Sequence, residues 1–257
     1  MPRTSRIVSK SGIYHISIRG VNRQLMFYDD ADRTFLLNKL LFLKVETGFQ
    51  LYAWCLMDNH IHLVIKEEHI SISKIMQRLN ASYTIYLNRK YDGTGTIYDG
   101  RFYSTPIETV PYLRTVIRYT HQNPVRSLIV SSPSEYKWSS CQHYYGKSTN
   151  FNSLTNIENI LKLFSLNIEE SIKHFIEYTE SIYELPWKNP SKKLKLSDAQ
   201  ALDIIQEHIA NIKIPLIKKL PKLERNLIIR NLKSINGLNA SQLSRILGIP
   251  KSVIWKA

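Results

Sequence analysis

Residues 50–66 read QLYAWCLMDNHIHLVIK, and this stretch decides the fold. Gln50 to Met57 and Ile61 to Lys66 are apolar, strand-like runs, and Asp58-Asn59 between them are residues that turns favour. The expectation is a β-hairpin. Within it, His60 and His62 flank Ile61. Alternate residues of a strand share a face, roughly 6.5–7 Å apart, so two imidazoles can converge on one cation while Ile61 points into a core. With eight histidines in 257 residues, such a pair also arises by chance, and two partly buried polar residues on a sheet face explain it as well. A catalytic metal further needs a third ligand and open positions.

Outward from the hairpin, Ile13 to Arg19 (IYHISIR) alternates apolar and polar residues like a half-buried strand. Asp29 to Glu46 fits a helix, with acids at its start and an apolar stripe of Phe35, Leu36, Leu40 and Leu43. Ser71 to Lys90 is a longer amphipathic helix, broken by Asp92, Gly93 and Gly95. Thr96 to Ile107 gives strand-like pieces around Asp99-Gly100. Pro111 opens a helix that runs through Tyr119 and is expected to end near Asn123, because Pro124 disfavours helical geometry in the residue before it. The order β, α, β, β, α, β, helix predicts an α+β fold: a ferredoxin-like (RRM-like) antiparallel sheet with flanking helices.

Charge divides the chain into three. Lys and Arg total 35 against 21 Asp and Glu, a net charge of +14. Residues 1–150 carry +8, residues 151–187 carry −4, and residues 188–257 carry +10. Two basic blocks around an acidic one suggest two surfaces for a polyanion. We therefore read 1–150 as the main domain, 151–187 as an acidic helical connector and 188–257 as a basic C-terminal region. Pro186 to Lys195 is the best linker. In the last region Leu223 to Ile235 reads as an amphipathic helix. Ala240 to Ala257 reads as two short helices about Gly248, an all-α helix-turn-helix unit whose second helix starts at Pro250 and offers Lys251, Ser252 and Lys256 to DNA. A small helical packing unit without DNA contact is the plainer alternative. No run reaches the roughly 18 apolar residues of a membrane span, and the basic N-terminus leads into no apolar h-region, so neither membrane nor signal peptide is expected. The two cysteines, Cys55 and Cys141, point to a reducing compartment and offer no paired zinc-ligand spacing.

Tyr119 and Asn123 stand four apart in YLRTVIRYTHQNPVR, so both face one side of a helix. Among 15 tyrosines, a core or rim aromatic is the commoner meaning of one such residue. The blocks WCLMDNHIHLVI, SYTIYLNRKY, GTIYDGRFYSTPI, YLRTVIRYTHQNPVR and EYKWSSCQHYYG occur in this order. The stretch Gly12 to Gly146 that holds them resembles the REP-associated tyrosine transposases, which belong to the His-hydrophobe-His single-tyrosine transposases.

That resemblance implies a divalent metal, Mg2+ or Mn2+, on His60 and His62, and Tyr119 as nucleophile. It implies Asn123 as third metal ligand, standing where many relatives have glutamine. Arg101 and the Asn88-Arg89 pair match the family's polar positions, and Arg78 and Arg89 are basic residues of one helix suited to tracking a DNA backbone. The implied activity is single-stranded DNA cleavage and strand transfer on hairpin or repeat DNA through a 5′-phosphotyrosine. Partners would be single-stranded or hairpin DNA, with duplex DNA at the C-terminal region. The setting would be a cytoplasmic, nucleoid-associated monomer or homodimer. A non-catalytic repeat-DNA-binding regulator on the same fold is the alternative. A replication initiator or relaxase fits less well with one RYTHQNP tyrosine and so small a domain.

Overall fold

The computed structural model describes residues 6–181, 198–209, 212–235 and 237–257. The expected linker at 186–195 lies outside the described residues. The elements run β1 (Ile13–Arg19), α1 (Asp30–Thr47), β2 (Gln50–Met57), β3 (His60–Lys66), α2 (Ile72–Lys90), β4 (Tyr103–Pro106) and α3 (Val110–Arg126). Beyond them come α4 (Cys141–Tyr144), α5 (Glu158–Leu161), α6 (Ile168–Glu180), α7 (Asp198–His208), α8 (Lys222–Lys233), α9 (Ala240–Leu247) and α10 (Lys251–Lys256).

Local chemistry sets these boundaries. Asp29 caps α1, and Asp32 answers from the third position to close a capping box. Gly48 ends the helix at φ +75°, a backbone state that favours glycine. Thr109 caps α3, and Pro111 sits in its first turn, where its missing N–H is no loss.

The four strands form an antiparallel sheet in the order β2-β3-β1-β4. The crossovers through α1 and α2 put both helices on one face, as the usual right-handed connection would for each. There they bury Ile16, Ile18, Leu51, Trp54, Leu56, Ile61, Leu63 and Ile65. This is the expected α+β class. Helix α3 covers the other face, over β2 and β3, packing Leu113, Val116 and Ile117 on Ala53 and Val64.

Three expectations change. The fourth strand is only Tyr103–Pro106; residues 96–100 add a single isolated bridge, Gly20 to Tyr98. Helix α3 does not stop at Asn123 but runs to Arg126 with Pro124 inside it. So close to the C-terminus the proline removes one helical donor, and Ser127 N and Ile129 N still close onto the carbonyls of Asn123 and Pro124. Residues 151–181, read as a connector, are part of the same packed layer. Phe175 of α6 stacks on Tyr144 with centroids 4.3 Å apart, and Ile160 and Leu161 join the α3 core.

The C-terminal helices form a second core from Ala201, Ile205, Ile229, Leu243, Ile246, Leu247 and Ile254. Gly248 at φ +64° turns α9 into α10. Helix α10 starts at Lys251, with Pro250 as the flanking residue rather than the first helical one. This core also takes in Leu25, from the loop after β1.

If residues 151–181 are integral, Phe175→Ala should lower unfolding stability by roughly 3–5 kcal/mol. A denaturant titration checks this; a loss under about 1 kcal/mol would mean that α6 is only tethered.

Candidate functional site

The β1–β3 register fixes the site. Arg19 pairs with His60, Ser17 with His62, and Ile18 with Ile61. Ile61 is fully buried under α1 and α2, so His60 and His62 emerge together on the opposite face, ring centroids 5.1 Å apart. His15 joins them from β1, its Nε2 lying 3.0 Å from His62 Nδ1. Burial lowers the pKa of His60 and of His15 to about 4. Burial, then the neighbouring His60, His15, Arg19 and Arg126, pushes that of His62 well down. All three rings are therefore neutral at pH 7, and a neutral imidazole has a lone pair to give.

Helix α3 brings the phenol. The Tyr119 ring stands edge-on to His62 at 5.5 Å and to His15 at 5.9 Å. One turn later Asn123 is buried, its Nδ2 donating to the Tyr119 carbonyl at 3.0 Å. The same amide lies near the His60 side chain and favours that ring's protonated form, against the larger effect of burial. The Arg126 guanidinium lies 4.9 Å above the Tyr119 ring. Tyr119, His60, His62 and Asn123 thus meet on one face.

The donor set fits a divalent cation. His60 Nδ1 is engaged by Asn59 Oδ1 at 2.7 Å, and His62 Nδ1 by His15, so a cation would meet either ring at Nε2. Among the described residues no three His, Cys, Asp or Glu side chains form a metal cluster. The face offers instead two imidazoles beside the Asn123 amide, a sparse set that would leave positions open on a bound cation.

The remaining candidates lie elsewhere. Arg78 and Arg89 are on α2, across the sheet from the histidines, because both crossover helices occupy that face. Arg78 is ion-paired to Glu46 at 2.6 Å, while Arg89 is exposed beside Phe35, Ile85 and Tyr86. Arg101 is exposed on the loop entering β4, close enough to Arg6 to lower the pKa of that guanidinium after burial has done so. Lys251, Ser252 and Lys256 are exposed on the six-residue α10.

Sequence reasoning missed His15, Arg19, Arg126 and Tyr103. Since α3 covers β2 and β3, the β1–β4 half of its face stays open, and Ser17, Arg19, exposed Tyr103 and Thr105 line it. The polar positions of IYHISIR were the available signal for His15 and Arg19.

Residues 8–123 match the family described as IS200-like transposases. A solved REP-associated tyrosine transposase bound to a REP hairpin is similar over 55% of this chain and 82% of that chain, with 20% identity and a TM-score of 0.48. No curated protein matches the chain. No helix among the described residues is long and apolar enough to cross a membrane.

Buried imidazoles give a pH signature. Burial also lowers the pKa of His121 to about 3 and of His143 to about 4. An unfolded histidine takes up its proton near pH 6.5, whereas these wait until near pH 3–4 in the folded chain. Their stabilisation is complete above pH 6.5 and is lost as pH falls toward their folded values. Tm should therefore drop between pH 6.5 and 4.5, and His121→Gln should make that slope shallower. A flat Tm over this window would mean that the rings are solvated.

Proposed function

We propose, on the premise that residues 8–123 belong to the IS200-like transposase family, that this chain cuts single-stranded DNA and holds one end covalently on Tyr119. The observation that carries the reading is the edge-on approach of Tyr119 to His62, 5.5 Å between centroids, on the face that also presents His60. A phenol and a two-imidazole site facing one gap suit in-line attack on a phosphodiester.

In this reading His60, His62 and the Asn123 amide oxygen hold Mg2+ or Mn2+. The cation, when bound, offsets charge on the scissile phosphate as the five-coordinate transition state forms. Tyr119 loses its phenolic proton and its oxygen bonds to phosphorus. The upstream 3′-oxygen departs, taking up a proton as a 3′-hydroxyl, and a 5′-phosphotyrosine remains. One phosphodiester replaces another, so an incoming 3′-hydroxyl reverses the step and joins strands without a further energy source.

The open β1–β4 half of the sheet is the path assigned to the strand. Arg19 and Arg126 bracket the histidines there, and Tyr103 and Arg101 flank the edge, a mix of cation and aromatic that suits unpaired nucleotides. Arg78 and Arg89, on the far layer, have no part in the reaction so drawn. Lys251, Ser252 and Lys256 are assigned to duplex DNA, and the reducing, DNA-bearing cytoplasm is the setting that two unpaired cysteines suit.

Hairpin single strands labelled at the 5′ or 3′ end, incubated with Mn2+, test the reaction. A denaturation-resistant adduct should carry only the 3′-labelled fragment and should vanish with chelator, Tyr119→Phe or His60→Ala. Adduct formed by Tyr119→Phe overturns the nucleophile; binding without adduct on varied hairpins favours a regulator. Separately, Lys251→Glu with Lys256→Glu should weaken duplex binding and reduce its log–log salt slope by about 2. An unchanged slope removes α10 from the duplex contact.

A further inference from the structure

We propose that His15 is a positioning residue that selects the ring form of His62 able to bind a metal. The inference rests on the reading of His60 and His62 as ligands, and its test separates the two.

Two ring nitrogens 3.0 Å apart, His15 Nε2 and His62 Nδ1, share one hydrogen: one donates and the other accepts. If His62 Nδ1 donates, its Nε2 keeps a lone pair and can ligate. If His15 donates instead, the hydrogen of His62 sits on Nε2 and ligation is blocked. The ring form of His62 is thus set by what His15 accepts.

His60 has no such ambiguity. Its Nδ1 meets Asn59 Oδ1 at 2.7 Å, an oxygen that only accepts, so the neutral ring carries its hydrogen on Nδ1 and keeps the lone pair on Nε2. The two ligands of one site are therefore oriented by different devices. One is fixed by an amide from the DN turn and the other is set by a neighbour that can act either way.

Packing holds His15 to this task. Its ring lies within 19° of the His62 plane, centroids 5.1 Å apart, and is edge-on to Tyr119 at 5.9 Å. The ring thus touches both His62 and Tyr119, which also touch each other. The β1 register places it there: His15 is opposite Val64 and diagonal to His62, a separation of roughly 7–8 Å that aromatic side chains still span.

The test measures Mn2+ binding by the paramagnetic signal of free Mn2+, on the full chain without DNA. His15→Leu, which removes the acceptor, should weaken binding about 10–100-fold, whereas His15→Gln, whose side-chain oxygen accepts, should stay within about 3-fold of wild type. Retention of hairpin binding in chelator by both variants separates this effect from lost folding. In wild type, 15N spectra with Mg2+ should show His62 protonated at Nδ1 and His15 accepting at Nε2. This readout needs no variant to fold. Wild-type Mn2+ affinity in His15→Leu, no rescue by His15→Gln, or a His62 Nε2–H with Mg2+ bound would each overturn the proposal. If His60→Ala leaves Mn2+ binding unchanged, the ligand reading itself fails, whatever His15 does.

Discussion

The pairing of β1 with β3 is the constraint on which the rest depends. Side chains alternate along a strand with a period of two, so slipping β1 by one residue would carry His15, Ser17 and Arg19 to the helix side of the sheet. It would also expose Ile16 and Ile18, which are buried beneath α1 and α2. Each buried isoleucine stabilises the observed register by roughly 1.5–3 kcal/mol, so the polar cluster on the opposite face is held by apolar packing it never touches. Three neutral imidazoles in one small area are tolerable for the same reason. Burial withholds their protons, and one nitrogen of each ring has a partner from the turn or from its neighbour.

Helix α3 completes the geometry. Its proline falls where the helix needs few further donors, so the chain continues for two residues past Pro124 and delivers Arg126 above the Tyr119 ring. Leu113, Val116 and Ile117 anchor the helix over only half of the sheet. The uncovered half, from His15 to Thr105, is polar on this face although its reverse is core. An open-faced sheet of this kind offers a floor, with α3 as one wall.

Much of this was legible in the chain. Capping residues, the Asp58-Asn59 turn and the His-Ile-His alternation were local signals, and local signals transfer well from sequence to structure. The side of the sheet on which Arg78 and Arg89 lie was not legible, because amphipathicity tells which stripe of α2 is buried but not which face it covers. The handedness of the two crossovers carried that information. His15 was hidden differently: its alternation with Ile16 marked it as polar-facing, but only strand pairing brings a residue 47 positions away beside His62. The acidic stretch at 151–181 misled through its charge. Its acids are on the solvent side of helices whose Phe175, Ile160 and Leu161 are core.

The loop from Gly20 to Phe27 is shared by both halves of the molecule. Gly20 N donates to the Asn59 carbonyl at 3.0 Å and Met26 N to that of Asp58 at 2.7 Å, so the turn ahead of His60 is clamped from both ends of the loop. Between those clamps Leu25 is buried in the C-terminal core, and its N–H reaches the Arg245 carbonyl. Gly20 admits no side chain, since a Cβ there would lie 2.3 Å from the Gln24 carbonyl oxygen. The loop thus joins the turn ahead of His60 directly to the distal bundle. Only a few peptide units lie between them, so a shear of that bundle has little slack in which to dissipate before it reaches Asp58.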